Sequence, residues 1–258
     1  MRSKAQTTAW DVRSLSYTLL LWGTVLALGV ASRYYIHATR RTALKQIRVY
    51  GNHTMSHSRL EGLLQPFFNQ PLDALNTSYL IQRLSSYPLV RAIKLKRAYP
   101  NELQIFLRER TPVAYYQAAQ WYCLDEEGVI LPLPDRGMIY NLPIIRQGLK
   151  PASTLKIGGR VRDKQVLELV DFLARMRNRF PTIYLDVSEI SYEPEEGLKL
   201  ISATNSTPVF LGDWASAFEN LYVLEGFNQQ IEKDNVIGKY KYIDLRFKDQ
   251  VVVRERGR

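Results

Sequence analysis

The sequence predicts an α+β chain: a single transmembrane helix, a compact βααββ domain, and then a mixed β-rich domain with flanking helices. Three observations predict it. An uncharged apolar run stands near the start, two helical patterns enclosed by strand patterns follow it, and short alternating strands separated by turns occupy most of the remainder.

The run from Ser14 to Ser32 holds 19 residues without a charge, between Arg13 and Arg33. As a helix rising ~1.5 Å per residue it reaches about 28 Å, against a hydrocarbon core of ~30 Å. Leu15, Leu19, Leu20, Leu21, Val25, Leu26, Leu28 and Val30 point all around the wheel, whereas a helix on a globular core keeps a polar face. Tyr34 and Tyr35 follow, as amphipathic rings do at a headgroup boundary. The reading is a short polar tail at 1–13 and a membrane span at 14–36. Gly29-Val30-Ala31 offers the alternative of a cleaved signal peptide, although the apolar run exceeds the ~7–15 residues of a usual h-region.

The net charge of +10 invites a nucleic-acid reading, so its distribution matters. Residues 1–48 carry eight Lys/Arg against Asp11, a balance of +7; residues 49–114 carry +4, and residues 115–258 carry −1. The basicity belongs mainly beside the span, where it meets anionic lipid headgroups, and the larger folded part is nearly neutral, which speaks against a nucleic-acid partner. Three Lys/Arg precede the span and five follow it up to Arg48. Large domains translocate largely regardless of such counts, so orientation stays open on charge alone. Cys123 is the only cysteine, which excludes an intramolecular disulfide.

In the folded part, Ile47 to Tyr50 alternates and meets Gly51-Asn52, a strand closed by a turn. Leu60, Leu63, Leu64 and Phe67 share one helical face within Ser56 to Phe68, with Ser56 or Ser58 as cap. Asn76 can cap a second helix with Tyr79, Leu80, Ile81 and Leu84 facing inward. Strands follow at Val90–Arg97 and Leu103–Arg108, around a turn at Tyr99-Pro100-Asn101-Glu102. Beyond Ala114, Trp121–Asp125 and Val129–Leu131 flank Glu126-Glu127-Gly128 as a hairpin. Residues 132–160, with Pro132, Pro134, Pro143 and Pro151, read as an ordered loop. Asp163 caps a helix carrying Val166, Leu169, Val170 and Leu173 on one stripe. Strands are then expected at Ile183–Val187, Glu189–Tyr192, Gly197–Ile201 and Pro208–Leu211, followed by a helix capped by Asp213. The chain closes with strands at Tyr242–Phe247 and Val251–Val253 around Lys248-Asp249-Gln250.

Three stretches carry a resemblance. They are Ile47-Arg48-Val49-Tyr50-Gly51-Asn52; Tyr87-Pro88-Leu89-Val90-Arg91-Ala92 with Tyr99 to Ile105 and Glu109 to Ala114; and Tyr242-Ile243-Asp244-Leu245-Arg246-Phe247. Together with the span, they make the chain similar to the FtsQ/DivIB bacterial cell-division proteins. The resemblance implies a POTRA domain at 47–115 and a β domain at 116–255. It implies a cytoplasmic N-terminus and C-terminal domains in the periplasm at the division septum of the inner membrane. It further implies a non-enzymatic divisome scaffold, without cofactor, that recruits FtsB and FtsL coiled-coil subunits by β-strand addition and helps control septal peptidoglycan synthesis. The resemblance implies, by position, that Phe247, Lys248, Gln250, Val251, Val252, Val253 and Arg254 would form the partner surface. The turn at Lys248-Asp249-Gln250 departs from a common form in lacking glycine. The alternative within the same fold is a POTRA-bearing chaperone or docking protein for exported or outer-membrane polypeptides.

The C-terminal strand also stands on physical grounds. Three successive valines favour an extended backbone, and a terminal strand readily lies at a sheet edge, where unpaired N–H and C=O groups accept another strand. Arg254, Glu255 and Arg256 limit indiscriminate pairing. The basic strand carrying Arg91, Lys94, Lys96 and Arg97 reads as a solvated face, with a docking role for the POTRA domain as the alternative. His53 and His57 lack accompanying metal ligands and read as surface residues. Cys123 reads as packed, and the acid pairs Glu126-Glu127 and Glu195-Glu196 read as solvated turns. No phosphate loop, nucleophile elbow or zinc motif is present in the sequence.

Overall fold

A computed structural model describes residues 12–38, 43–55, 57–134, 140–146, 155–231, 239–248 and 250–256. The tail before Val12, the Ser56 cap, the side chains of His37 and His57, and Asp249 lie outside the described residues. The described residues open with helix α1 (Val12–Ala38), and the chain divides into two compact units, the first of which includes α1. Leu19, Leu20, Leu21, Val25, Leu26, Leu28 and Val30 of α1 are all exposed, so no face of it is set aside for a core. Among the described residues, no helix is long and apolar enough to cross a membrane.

The first unit holds β1 (Gln46–Tyr50), α2 (His57–Leu64) with a 3-10 turn at Gln65–Phe67, α3 (Thr77–Ser85), and most of β2 (Val90–Ala98) and β3 (Glu102–Glu109). The sheet order is β1-β3-β2, with β1 parallel to β3. Leu60, Leu64, Phe67, Leu80 and Leu84 are buried, together with Leu103 and Ile105 of the sheet. Helix α3 starts where Asn76 Oδ1 accepts from the Tyr79 N–H at 2.9 Å. Two expectations change here. Pro66 converts the end of the first predicted helix into the 3-10 turn, and Tyr79 and Ile81, one position either side of Leu80, are exposed. At ~100° per residue they flank the buried stripe rather than join it. Gly51 closes β1 at φ +77°, where an added Cβ would stand 2.1 Å from the Leu107 carbonyl oxygen. Only glycine fits that turn.

The second unit is a nine-stranded sheet with helices over one core cluster. In chain order it contains β4 (Pro112–Gln117), β5 (Trp121–Asp125), β6 (Ile130–Leu131), β7 (Ile144–Arg146), α4 (Lys164–Arg179), α5 (Pro181–Leu185), β8 (Val187–Glu193), β9 (Gly197–Ser202), β10 (Pro208–Gly212), α6 (Ala217–Ile231), β11 (Tyr240–Asp244) and β12 (Val252–Glu255). Its spatial order is β12-β11-β10-β9-β8-β7-β4-β5-β6. Asp163 caps α4 by accepting from the Gln165 and Val166 N–H groups, and Val166, Leu169, Val170 and Leu173 are buried as expected. Buried Phe172 and Phe180 meet half-buried Phe218 and exposed Tyr222 edge-to-face, with centroids 4.8 to 6.4 Å apart.

Several sequence expectations are corrected in this unit. Ile183–Leu185 is not strand but the short helix α5, because Pro181 opens a helical turn that buries the consecutive Ile183 and Tyr184. A strand would have sent one of them to the other face. Tyr184 Oη then donates to the Val113 carbonyl at 2.8 Å. The loop at 132–160 contains β7, whose three residues bridge β4 and β8, both in parallel. Asp213 caps a turn, accepting from the Ser216 N–H at 2.9 Å, and α6 itself starts only at Ala217. The strand expected at Tyr242–Phe247 is β11, displaced toward Tyr240 and ending at Asp244.

Candidate functional site: the terminal strand and its neighbours

Strand β12 is an edge. It pairs antiparallel with β11 on one side, with Asp244 opposite Val252, Ile243 opposite Val253 and Tyr242 opposite Arg254; its other side has no strand among the described residues. The Arg256 N–H donates to the Lys239 carbonyl at 2.7 Å. Alternation along the strand therefore turns the backbone groups of Val253 and Glu255 toward the unpaired edge. Arg256 pins the end of the strand through its guanidinium, which donates to the carbonyls of Tyr240 at 3.1 Å and Asn205 at 2.6 Å.

The side chains of the strand divide between two environments. Val251 and Val253 pack on the core cluster, whereas Val252 does not contribute to it and Arg254 is exposed. Val252 stands in a cross-sheet row with Asp244, Phe210, Lys199, Ser191 and Arg146, set by the register of six adjoining strands. Phe210 lies under two cations: the Arg246 guanidinium is 5.0 Å from its ring centroid and Lys199 Nζ is 5.8 Å away. Asp244 is 5 % exposed and holds Arg246 by two hydrogen bonds, at 2.9 and 2.6 Å. That bidentate pair keeps the Asp244 carboxyl below the usual carboxylate range, with Arg246 as the main cause. Phe247, just past β11, is 53 % exposed, and Lys248 and Gln250 are exposed beside it. The structure thus brings Phe247, Lys248, Gln250 and Val251 to the loop, and Val252, Val253 and Arg254 to the edge strand that follows.

A second cluster in this unit escaped the sequence. Arg91 reaches Glu126 at 2.5 Å and Glu127 at 2.7 Å, while Arg110 Nη1 joins Asp125 at 2.6 Å and Glu127 at 2.7 Å. Asp125 Oδ1 also accepts the N–H groups of Glu127 and Val129, which fixes the hairpin turn. Glu126 and Glu127 are therefore ion-paired, not merely solvated, and Arg91 does not belong to a free basic strand. The Arg110 guanidinium, then Arg91, holds the Glu127 carboxyl below its ordinary range. These partners lie 15 to 36 residues apart in sequence, so no local pattern announces them.

The other candidates take structural places. Cys123 is buried, and burial pushes its thiol up to about 12, away from reactivity. His53 precedes α2 and His57 opens it, so the two do not share a helix face. Among the described residues, no group of three or more His, Cys, Asp or Glu side chains is placed to hold a metal ion. Glu196 pairs with Lys199 at 2.7 Å.

A βααββ unit followed by a β domain whose last strand is paired on one side only among the described residues defines a class of POTRA-bearing proteins. The family comparisons agree in both parts: residues 42–110 match the POTRA domain of FtsQ type, and residues 111–253 match the C-terminal-related part of FtsQ/DivIB. The chain belongs to the FtsQ/DivIB family of cell division proteins. It is 28 % identical over 178 residues to cell division protein FtsQ of Geotalea daltonii, covering 67 % of this chain and 62 % of that one. With FtsQ of Rhodothermus marinus it shares 28 % identity over 255 residues, 95 % and 89 % of the two chains. With cell division protein DivIB of Bacillus cereus it shares 22 % over 151 residues, 58 % and 54 %. The match thus spans less than two thirds of the Geotalea relative.

Proposed function

We propose that the chain is a bitopic, non-enzymatic divisome scaffold whose edge strand β12 receives a strand from an FtsB-type subunit, itself joined to FtsL. In this reading 14–36 anchors the chain in the inner membrane with the N-terminus in the cytoplasm. A POTRA domain at 47–115 and a β domain at 116–255 then lie in the periplasm at the septum, where they help control septal peptidoglycan synthesis. The anchor is supported by exposed leucines on every face of α1 and by an uncharged run that begins at Ser14.

The observation that carries the proposal is the side of β12 that has no strand partner among the described residues. An incoming strand would gain main-chain hydrogen bonds there, while Phe247 and the Val252 row supply side-chain selectivity. The edge does not pair indiscriminately because Arg254, Glu255 and Arg256 place charges along it. Capture of a purified FtsB-type subunit by the full chain tests this. Val252→Lys leaves the core-facing valines in place and should abolish capture, with Phe247→Ala weakening it. Undiminished capture by a folded Val252→Lys chain sinks the strand-addition mechanism.

A further inference from the structure

The three-stranded sheet of the first unit has one face that its own helices do not use. Leu103, Ile105 and Leu107 of β3 turn inward and are buried, so the alternate residues of the sheet face outward. Among them Tyr50 and Phe106 are register partners across β1 and β3, and their rings stack at 5.0 Å with an interplanar angle of 13°. They remain 42 % and 38 % exposed. Lys94 and Lys96 alternate outward along β2 and make no ion pair among the described residues. Arg48 stands on the same face of β1, with half its side chain exposed. Glu102 is the one carboxylate among the described residues of this face in the first unit, and Arg48 at 3.4 Å and Gln104 at 2.9 Å already engage it.

Exposed cations alone describe a solvated strand. A stacked pair of large rings held open to solvent among them does not, because burying those rings would be favourable. Aromatic rings beside cations match the boundary between hydrocarbon and anionic headgroups, where rings sit at headgroup level and ammonium groups meet phosphates. The chain length brings such a boundary within reach. Seven residues, 39–45, separate α1 from β1, and a fully extended connector of that length spans at most about 25 Å. A tether this short gives the face an effective concentration on the order of millimolar at an anchoring membrane.

We propose that the outward face of this sheet, built on Tyr50, Phe106, Lys94 and Lys96, docks on an anionic lipid surface. The proposal rests on α1 being the membrane anchor. The test uses the full chain in lipid nanodiscs of phosphatidylglycerol or of phosphatidylcholine alone, with an environment-sensitive fluorophore attached through Gln104→Cys. Buried Cys123 stays unlabelled, and the unsubstituted chain serves as the control. In phosphatidylglycerol discs the emission should shift to the blue and resist quenching by aqueous iodide; in phosphatidylcholine discs it should do neither. Lys94→Gln with Lys96→Gln should weaken the shielding about fivefold per charge removed. Salt near 1 M, where the Debye length is about 3 Å, should release it. Emission that is equal in the two lipids, or unchanged in the double variant, overturns the docking while leaving the anchor intact. Failure of the chain to co-elute with either disc overturns the anchor and the docking together.

Discussion

Asp244 and Glu127 show what the named side chains contribute one at a time. Both carboxyls sit below their ordinary range because guanidinium groups stabilise the ionised form: Arg246 for Asp244, and Arg110 with Arg91 for Glu127. A carboxyl depressed in the folded state binds its proton less readily there than in the unfolded chain. Its contribution to stability is present above the unfolded value, near 4, and is lost as pH falls through the lower folded value. Denaturant melts of the second unit should therefore lose stability on acidification below about pH 4, and Asp244→Asn should flatten that slope. Because Asp244 is buried, the same change should cost about 1–3 kcal/mol at neutral pH, as Arg246 loses a charged acceptor. An unaltered acid slope would show that Asp244 does not couple to folding. At Cys123 the expectation is inertness: a buried thiol raised to about 12 should resist iodoacetamide in the native chain and react after unfolding. Modification of the native chain at pH 8, measured by mass, would contradict that burial.

At the scale of elements, the nine-stranded sheet leaves β12 with one paired side among the described residues, and its two faces give neighbouring valines opposite roles. Val253→Lys drives an ammonium against the core and should destabilise the second unit by about 1–3 kcal/mol, whereas Val252→Lys should leave its melting within about 0.5 kcal/mol. Equal destabilisation by the two would mean that the strand does not alternate as described. Much of this arrangement is legible in the sequence. The valine run marks an extended segment, Asp163 and Asn76 mark helix starts through their capping oxygens, and the 3.6-residue stripe of α4 marks a buried face. What is not legible is what depends on distant partners. Pairing across the sheet makes β7 a strand although it has three residues and follows Pro143. The β-branched look of Ile183 to Val187 yields to Pro181 and to burial of Tyr184. Phe247 reads as strand in sequence, but β11 stops at Asp244, where the carboxylate engages Arg246 and its backbone N–H. The edge itself is a property of strand order, so a valine run can suggest β12 as a docking strand but cannot place it at the end of a sheet.

For the whole molecule, the charge is concentrated where the chain would meet a membrane, with +7 in residues 1–48, and the larger folded part is nearly neutral. In the proposed reading this division of charge suits a tethered binding protein, in which the tether would supply location and β12 a partner site at raised effective concentration. The two readings of a POTRA-bearing chain then make opposite forecasts in the native cell. If the chain scaffolds division, its depletion should give filaments without septa, and a Val252→Lys copy should not restore septation although it accumulates normally. If it chaperones exported polypeptides, depletion should leave division intact and impair outer-membrane assembly. Microscopy of depleted cells, with immunoblots of the complementing copies, separates them. A Val252→Lys copy that restores septation would separate family membership from the strand-addition mechanism, since the chain would then act in division through a surface other than β12. A copy lacking 14–36 adds the remaining link. If 14–36 is the anchor, a chain without it should fail to restore septation even though its folded second unit, with β12 in place, should still capture the FtsB-type subunit in solution.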